Sequence, residues 1–324
     1  MENEIKVVPF TLKTYREAWD RAHFEDPEIP LNVDIELASV CNLKCPFCFW
    51  GSDKFNADMQ KLSFDNKPKK RFMETELAIN IINEAAELKV PALKFNWRGE
   101  STLHPDFSYI LQDARRQRDT DNSFFHEIIL NTNGNFPDSA IEGIMATTKV
   151  IFSIDSFLRE TYQRMRRGGS LDLAIDNVKK IISRGHENIV VRRVMTEDNA
   201  SEEFALEATA IFGKNVSVSE HYCFNRNEVE SLDMERTYCG YPSQRLVIAS
   251  DGTVYPCCVD FENQMMIGYY GAVELYGDIK SIWQNPNLKN LRRELKKDIF
   301  NSEICADCKS FMAYKSPKRD NVSQ

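Results

Sequence analysis

The chain alternates early. Val33, Ile35 and Leu37 are apolar while Asp34 and Glu36 are charged, the period of two that predicts a half-buried strand. Residues 74–87 change period: Leu77, Ile81, Ile82 and Ala85 recur at helical spacing. The same exchange repeats. Strands are predicted over 92–96, 127–131, 149–153, 189–195 and 215–219. Helices are predicted over 107–116, 138–146 just after Pro137, 160–165, 171–184 and 201–212. Before the first strand the chain is mixed, with one helix over 14–21. Beyond residue 220 two short strands, 245–249 and 253–256, are joined by Ser250-Asp251-Gly252, a strong hairpin signal. A helix over 288–297 follows, and the polar, basic tail after Met312 is expected to fray.

Strands alternating with helices imply parallel βα units with right-handed crossovers. Six units fall short of the eight of a closed barrel. The expected fold is therefore α/β: a partial (β/α)6 barrel with a small C-terminal α+β domain. A doubly wound sheet would give the same alternation. The expected division is 1–30 as an extension, 31–220 as the barrel, 221–312 as the second domain and 313–324 as a flexible tail.

Composition narrows the chemistry. The 324 residues are 42% hydrophobic and 28% charged, ordinary for a globular chain. Net charge is −8, a poor match to a nucleic-acid partner, which needs a basic face. The one basic run, 67–71 (KPKKR), reads as a solvated loop. No apolar run reaches the roughly 18 residues of a membrane span. The N-terminus carries acids where an export signal has a basic region, so a cytoplasmic location is expected. Nine cysteines are then the unusual number. An odd count without an export signal argues against a disulfide framework and for metal or redox chemistry.

Cys41, Cys45 and Cys48 follow the first strand directly. That loop, at the C-terminal end of a strand, is where parallel α/β folds place chemistry. A structural zinc site or a fully ligated four-iron cluster takes four protein ligands. Three thiolates leave one metal position open to a ligand. The CxxxCxxC spacing resembles the radical S-adenosylmethionine (SAM) superfamily. That resemblance implies a [4Fe–4S] cluster on these three cysteines whose fourth iron is chelated by SAM. It implies reductive cleavage to a 5′-deoxyadenosyl radical that abstracts hydrogen from substrate, and a flavodoxin- or ferredoxin-type electron donor. It also assigns residues. Glu100, in Trp97-Arg98-Gly99-Glu100, would receive the SAM ammonium. Asn133, in Asn131-Thr132-Asn133-Gly134, would lie near SAM. Ser153 and Asp155 would reach the ribose, Arg166 would pair the SAM carboxylate, and Phe47 would lie against the adenine. His104, before Pro105, is as readily structural as catalytic.

Cys239, Cys257, Cys305 and Cys308, with Gly252 between the first two, resemble the auxiliary-cluster domains called SPASM and twitch. Four thiolates imply one fully ligated auxiliary [4Fe–4S] cluster serving electron transfer or domain ordering; a zinc site would use the same ligand count. Cys258 neighbours a ligand. Cys223, after the sixth strand, is either a buried small hydrophobe or a thiol that returns a hydrogen atom to a substrate radical. One auxiliary cluster resembles aminocyclitol-dehydrogenating members. The expected activity is hydrogen abstraction from a polyol, sugar or aminocyclitol carbon, giving dehydrogenation or epimerisation. Peptide or protein modification is the second reading, lowered by an N-terminal extension too short for a leader-recognition domain. A non-catalytic iron–sulfur electron carrier is the third.

Overall fold

The computed structural model describes residues 11–22, 24–49, 72–120, 125–222, 239–261, 263–272, 274, 277–297, 299–306 and 308; the run 67–71, Cys223 and the tail 313–324 lie outside them. After α1 (Leu12–Arg21) the chain alternates as its periodicity predicts. The first half runs β1 (Asn32–Ile35), α2 (Thr75–Glu87), β2 (Ala92–Lys94), α3 (Phe107–Arg118), β3 (Glu127–Thr132), α4 (Ile141–Met145) and β4 (Lys149–Ser153). It continues through α5 (Arg159–Met165), α6 (Leu171–Ser183), β5 (Ile189–Met195), α7 (Phe204–Phe212) and β6 (Ser217–Tyr222). The strands β1 to β6 are parallel neighbours in chain order. The sheet does not close, as a six-unit barrel should not.

Alternation along each strand sorts the side chains by face. Val33, Ile35, Leu93, Phe95, Ile128, Leu130, Val150, Phe152 and Val191 join Ile81, Ile82, Ile110, Val178 and Ile181 of the helices in one buried cluster. Each such side chain contributes about 1.5–3 kcal/mol by leaving water. The opposite, concave face carries Asp34, Lys94, Asn131, Ser153 and Arg192 from the intervening positions. Ile129, Ile151 and Val190 share that face with them, so it is mixed where a parallel sheet is ordinarily apolar on both faces.

The C-terminal region does not stand apart from this sheet. After a short α8 (Tyr241–Gln244), β7 (Arg245–Ile248) pairs in parallel with the free edge of β1, Asn32 opposite Arg245 and Ile35 opposite Ile248. The expected hairpin then adds β8 (Thr253–Tyr255) and, beyond it, β9 (Gly268–Tyr269), both antiparallel. One nine-stranded sheet results, ordered β6-β5-β4-β3-β2-β1-β7-β8-β9. Leu246 and Ile248 continue the apolar layer of β1, so pairing there buries side chains as well as strand edge. The helices α9 (Ile279–Trp283), α10 (Pro286–Leu295) and α11 (Glu303–Ala306) complete the region.

The N-terminal helix is bound too. Tyr15 and Ala22 of this segment pack on Leu31 and Ala92, at the N-terminal ends of β1 and β2. Arg245 lies 4.9 Å from the Trp19 ring, and Gln244 Nε2 donates to the Trp19 carbonyl at 2.9 Å. The strand starts are thereby covered, and the C-terminal ends are left for chemistry.

Candidate active site and cluster sites

The loop after β1 turns tightly, with the Cys48 N–H donating to the Cys45 carbonyl at 3.1 Å. It gathers three thiols that act on one another electrostatically. Burial, then the nearby Glu100 carboxylate, pushes the Cys41 thiol up to about 12. Burial also raises Cys45, which Arg166 opposes. Three N–H donors face two of these sulfurs. The Leu43 N–H lies 3.4 Å from Cys41 Sγ, Asn133 Nδ2 lies 3.8 Å from the same atom, and Arg166 Nη1 lies 3.8 Å from Cys45 Sγ. Donors aimed at sulfur suit thiolates that carry a cluster, whose potential such bonds tune. Among the described residues no trio of His, Cys, Asp or Glu is drawn tightly enough to clasp one metal ion.

Three strand ends and the end of α5 supply the residues around this loop. Glu100 follows β2 and is buried. Its Oε1 accepts from the Thr102 N–H (3.3 Å), Thr102 Oγ1 (2.8 Å) and Thr132 Oγ1 (2.9 Å), while among the described residues Oε2 accepts only the Asn133 N–H, at 2.8 Å. A carboxylate offers about four lone-pair sites, so Oε2 retains capacity for a further donor. Burial raises the Glu100 carboxyl, and these hydrogen bonds hold it back. Gly99 is required just before it: a Cβ there would strike the Ala38 carbonyl and stand 2.5 Å from the Val40 carbonyl.

Asn133 follows β3 and braces the thiols more than it faces a cavity. Its Nδ2 also donates to Asn42 Oδ1 (2.8 Å), and its Oδ1 accepts the Asn135 N–H (2.8 Å). Gly134 takes φ +79°, which glycine adopts without strain. Ser153 ends β4, and its hydroxyl makes no hydrogen bond among the described residues. Asp155 is otherwise: fully buried, at φ +69°, it accepts the Val194 N–H at 2.7 Å and pairs with Arg166 at 2.5 Å. That carboxylate is held by protein partners, so of the expected ribose pair Ser153 alone is left open.

Arg166 caps α5 and faces the cysteine loop. Its guanidinium sits between Asp155, Cys45 and the Phe47 ring, 5.3 Å away. Arg164 instead faces Asp198 across an exposed 3.5 Å pair. The Arg166 Nε and Asp155 Oδ2 are in direct ionic contact. The following segment is tied to the same loop by the Lys44 N–H donating to the Arg167 carbonyl at 2.9 Å. His104 resolves as structural: Nδ1 accepts the Asp106 N–H (3.0 Å), so Nε2 carries the proton to the Met73 carbonyl (2.7 Å).

The C-terminal thiols also converge. Burial pushes Cys239 up to about 12, with Cys305 and Cys308 close enough to contribute. Cys257 is raised by its hydrogen bond with Cys258 and by burial, with Cys239 nearby, and its sulfur receives the Val259 N–H at 3.3 Å. Cys258 Sγ faces Arg245 Nη1 at 3.8 Å. The bond from Cys257 and that guanidinium pull Cys258 down to about 6. Trp97, beside the Gly99-Glu100 turn, donates from Nε1 to the Cys258 carbonyl at 2.9 Å, so the two thiol groups share one stretch of chain.

Sequence reasoning missed a fully buried ion pair. Arg98 donates to both oxygens of Glu36 (2.7 and 2.8 Å), with both side chains inaccessible. The same carboxylate accepts the Ser250 N–H (3.0 Å), and Arg98 reaches Asn263 Oδ1 (2.8 Å). The charged position in the β1 alternation was visible; its partner was not.

Comparison with known proteins agrees with this arrangement. Residues 35–206 match the model of the Radical SAM superfamily, and residues 239–309 match that of the iron-sulfur cluster-binding domain SPASM. The sporulation killing factor maturation protein SkfB of Bacillus subtilis is 24% identical over 215 residues, 62% of this chain and 46% of that protein. The chain thus spans less than half the length of that relative. Among solved structures, BtrN in complex with AdoMet and 2-DOIA superposes with a TM-score of 0.53 at 17% identity, covering 83% of this chain and 88% of BtrN. Native anSMEcpe with bound AdoMet and Cp18Cys peptide superposes with a TM-score of 0.58 at 17% identity, covering 88% and 87%.

Proposed function

The chain belongs to the radical SAM superfamily, and from that premise we propose that it abstracts a hydrogen atom from a carbon of a polyol, sugar or aminocyclitol, ending in dehydrogenation or epimerisation. A [4Fe–4S] cluster, SAM and an auxiliary iron–sulfur cluster are the cofactors of its two matched domains. When bound, the first cluster supplies the electron that cleaves SAM to methionine and the 5′-deoxyadenosyl radical. One observation carries the reading: Cys41, Cys45 and Cys48 act on one another and lie beside Glu100 and Arg166 in the loop at the C-terminal end of β1.

Each residue then has a task. Cys41, Cys45 and Cys48 hold the cluster. Glu100 Oε2 accepts from the SAM ammonium, a charge-assisted bond. Arg166, aimed by Asp155, receives the SAM carboxylate, since a guanidinium matches that group with two donors. Ser153 offers its hydroxyl to the ribose, Phe47 lies against the adenine, and Asn133 holds Cys41 and Glu100 in register. Cys239, Cys257, Cys305 and Cys308 hold the auxiliary cluster. Dehydrogenation needs somewhere for a second electron to go, and this group adjoins β8 of the barrel's own sheet. Epimerisation needs a thiol, for which Cys223, outside the described residues, is the candidate. A flavodoxin- or ferredoxin-type protein is the proposed reductant.

The test is anaerobic: reconstituted protein with SAM and dithionite should release 5′-deoxyadenosine, and its absence overturns the proposal. Turnover in heavy water then divides the outcomes. Solvent deuterium at an inverted carbon means epimerisation, and a carbonyl product means dehydrogenation. A second reading, modification of a peptide, is supported by the similarity to SkfB and to the peptide-bound anSMEcpe fold; a product peptide of altered mass would select it.

A further inference from the structure

Two buried acceptors on the concave face have nothing to accept. Asn96 Oδ1 and Asn131 Oδ1 are shut off from solvent and have no hydrogen-bond partner. The two residues are neighbours. Asn96 lies two positions beyond Lys94 and Asn131 two beyond Ile129, which are register partners on β2 and β3, so alternation sets both amides on the concave face in one layer. The surroundings offer them no donor. Glu36, two positions beyond Asp34 on the β1 side, itself accepts from Arg98 and from the Ser250 N–H. Lys94, one step below, lies opposite Asp34. Across the layer, Ile151 of β4 is opposite Asn131, and Val190 of β5 is opposite Ile151. These two aliphatic side chains are buried, yet among the described residues they join no hydrophobic cluster. One layer thus carries two unsatisfied amides at one side and an aliphatic strip outside the packed core at the other. It lies just beneath the cysteine loop. Asn133, about 7 Å further along the strand than Asn131, is the residue whose Nδ2 stands 3.8 Å from Cys41 Sγ.

We propose that Asn96 and Asn131 are the pair that orients the substrate: their amides receive two adjacent hydroxyls of a polyol ring, whose C–H face lies along Ile151 and Val190. This proposal rests on the small-substrate reading above and deepens it, because it asks the substrate for a vicinal diol and names the side chains that hold it. The physics is that of an unmade hydrogen bond. A buried acceptor without a donor bears its full desolvation cost, and folded proteins leave few such atoms; here two occur on neighbouring strands. An arriving pair of hydroxyls removes both penalties together. Each amide also donates from Nδ2, so one asparagine can read a hydroxyl's proton and its lone pair. A sugar or cyclitol ring has the matching division, hydroxyls around its rim and C–H bonds on its face. Neither asparagine is among the groups proposed to hold SAM or either cluster.

The test uses reconstituted holoenzyme saturated with SAM. The polyols myo-inositol and D-glucose, and separately the peptide tetraalanine, are titrated by calorimetry. The expected result is saturable one-site binding of at least one polyol and none of the peptide. Asn96→Leu and Asn131→Leu should each weaken that binding about tenfold. The denaturation midpoint of the ligand-free variants should hold or rise, because leucine removes the orphaned oxygen; an asparagine kept for structure would lower it when lost. Asn96→Ala and Asn131→Ala only remove atoms, and should weaken polyol binding as much even where leucine crowds the layer. Absence of polyol binding to the wild-type protein overturns the proposal and leaves the layer to water. Polyol binding undiminished in all four variants also overturns it, as does tetraalanine displacing the polyol. Lowered midpoints in the leucine variants, with alanine variants that bind normally, would assign the amides to structure and overturn it too. The same preparation is assayed for 5′-deoxyadenosine. Cleavage without polyol binding defeats this proposal alone; polyol binding without cleavage defeats the functional reading alone.

Discussion

Glu100 shows what a single side chain in this site is asked to do. It is buried, its carboxyl is raised by burial, and four protein donors already reach it. Holding a buried carboxylate with an unfilled lone pair is costly unless a cation arrives. Glu100→Gln should therefore weaken SAM binding by about 1.5–3 kcal/mol, the worth of a hydrogen bond to a charged group, or roughly 10- to 100-fold. Calorimetry of SAM on the reconstituted variant reads this directly, and unchanged affinity would remove Glu100 from the ammonium site. At this scale the sequence was readable wherever a role is local. Three cysteines within eight residues, a glycine before a glutamate and an Asn-Gly turn announce themselves by spacing. Asp155 was not readable in that way. Its side chain is committed by Arg166, eleven positions on, and by a backbone N–H of the next strand, and no spacing in the chain reports that.

The elements hold the site through two close fits. The first is Gly99, where the turn after β2 presses onto the loop after β1. Gly99→Ala would place a methyl carbon against two carbonyls, with the Val40 nitrogen also only 2.8 Å away. Backbone cannot yield as a side-chain tip can, so a loss of about 1–3 kcal/mol is expected, as for overpacking, together with loss of SAM binding as the Cys41 loop shifts. Chemical denaturation and SAM titration check the two effects together. The second is the Glu36–Arg98 pair. Removing one partner of a fully buried ion pair leaves an uncompensated charge and typically costs about 3–5 kcal/mol. Arg98→Met should be destabilised by that amount, and Glu36→Gln with Arg98→Met should recover part of it; a single variant with wild-type denaturation midpoint would refute the assignment. The alternation that exposed Glu36 as a strand position also gave all six parallel strands. It could not name Arg98, because the pairing depends on β1 lying beside β2 and on what covers the strand ends.

The whole molecule is one sheet, and that bears on how the two thiol groups work together. Periodicity separated the C-terminal hairpin from the barrel, because the chain pattern breaks after β6; long-range pairing of β7 with β1 has no local signature. The consequence is that Cys257 and Cys258 follow a strand pair continuous with the barrel wall, and Trp97 bonds the Cys258 carbonyl from the turn that carries Glu100. The two thiol groups are tied to one sheet by strand pairing and a buried ion pair, and we propose that each binds its own cluster. Iron should therefore divide between them. Wild-type holoenzyme should hold about eight irons per chain as two four-iron clusters. Replacing Cys41, Cys45 and Cys48 together by alanine should leave about four and abolish 5′-deoxyadenosine formation. Cys239→Ala with Cys257→Ala should also leave about four, yet 5′-deoxyadenosine formation should persist while conversion of substrate to an oxidised product falls away. Iron and zinc assays with Mössbauer spectra separate these cases. Four irons with one bound zinc in the wild-type protein would make the C-terminal group a structural metal site, and the second electron of a dehydrogenation would then need another acceptor.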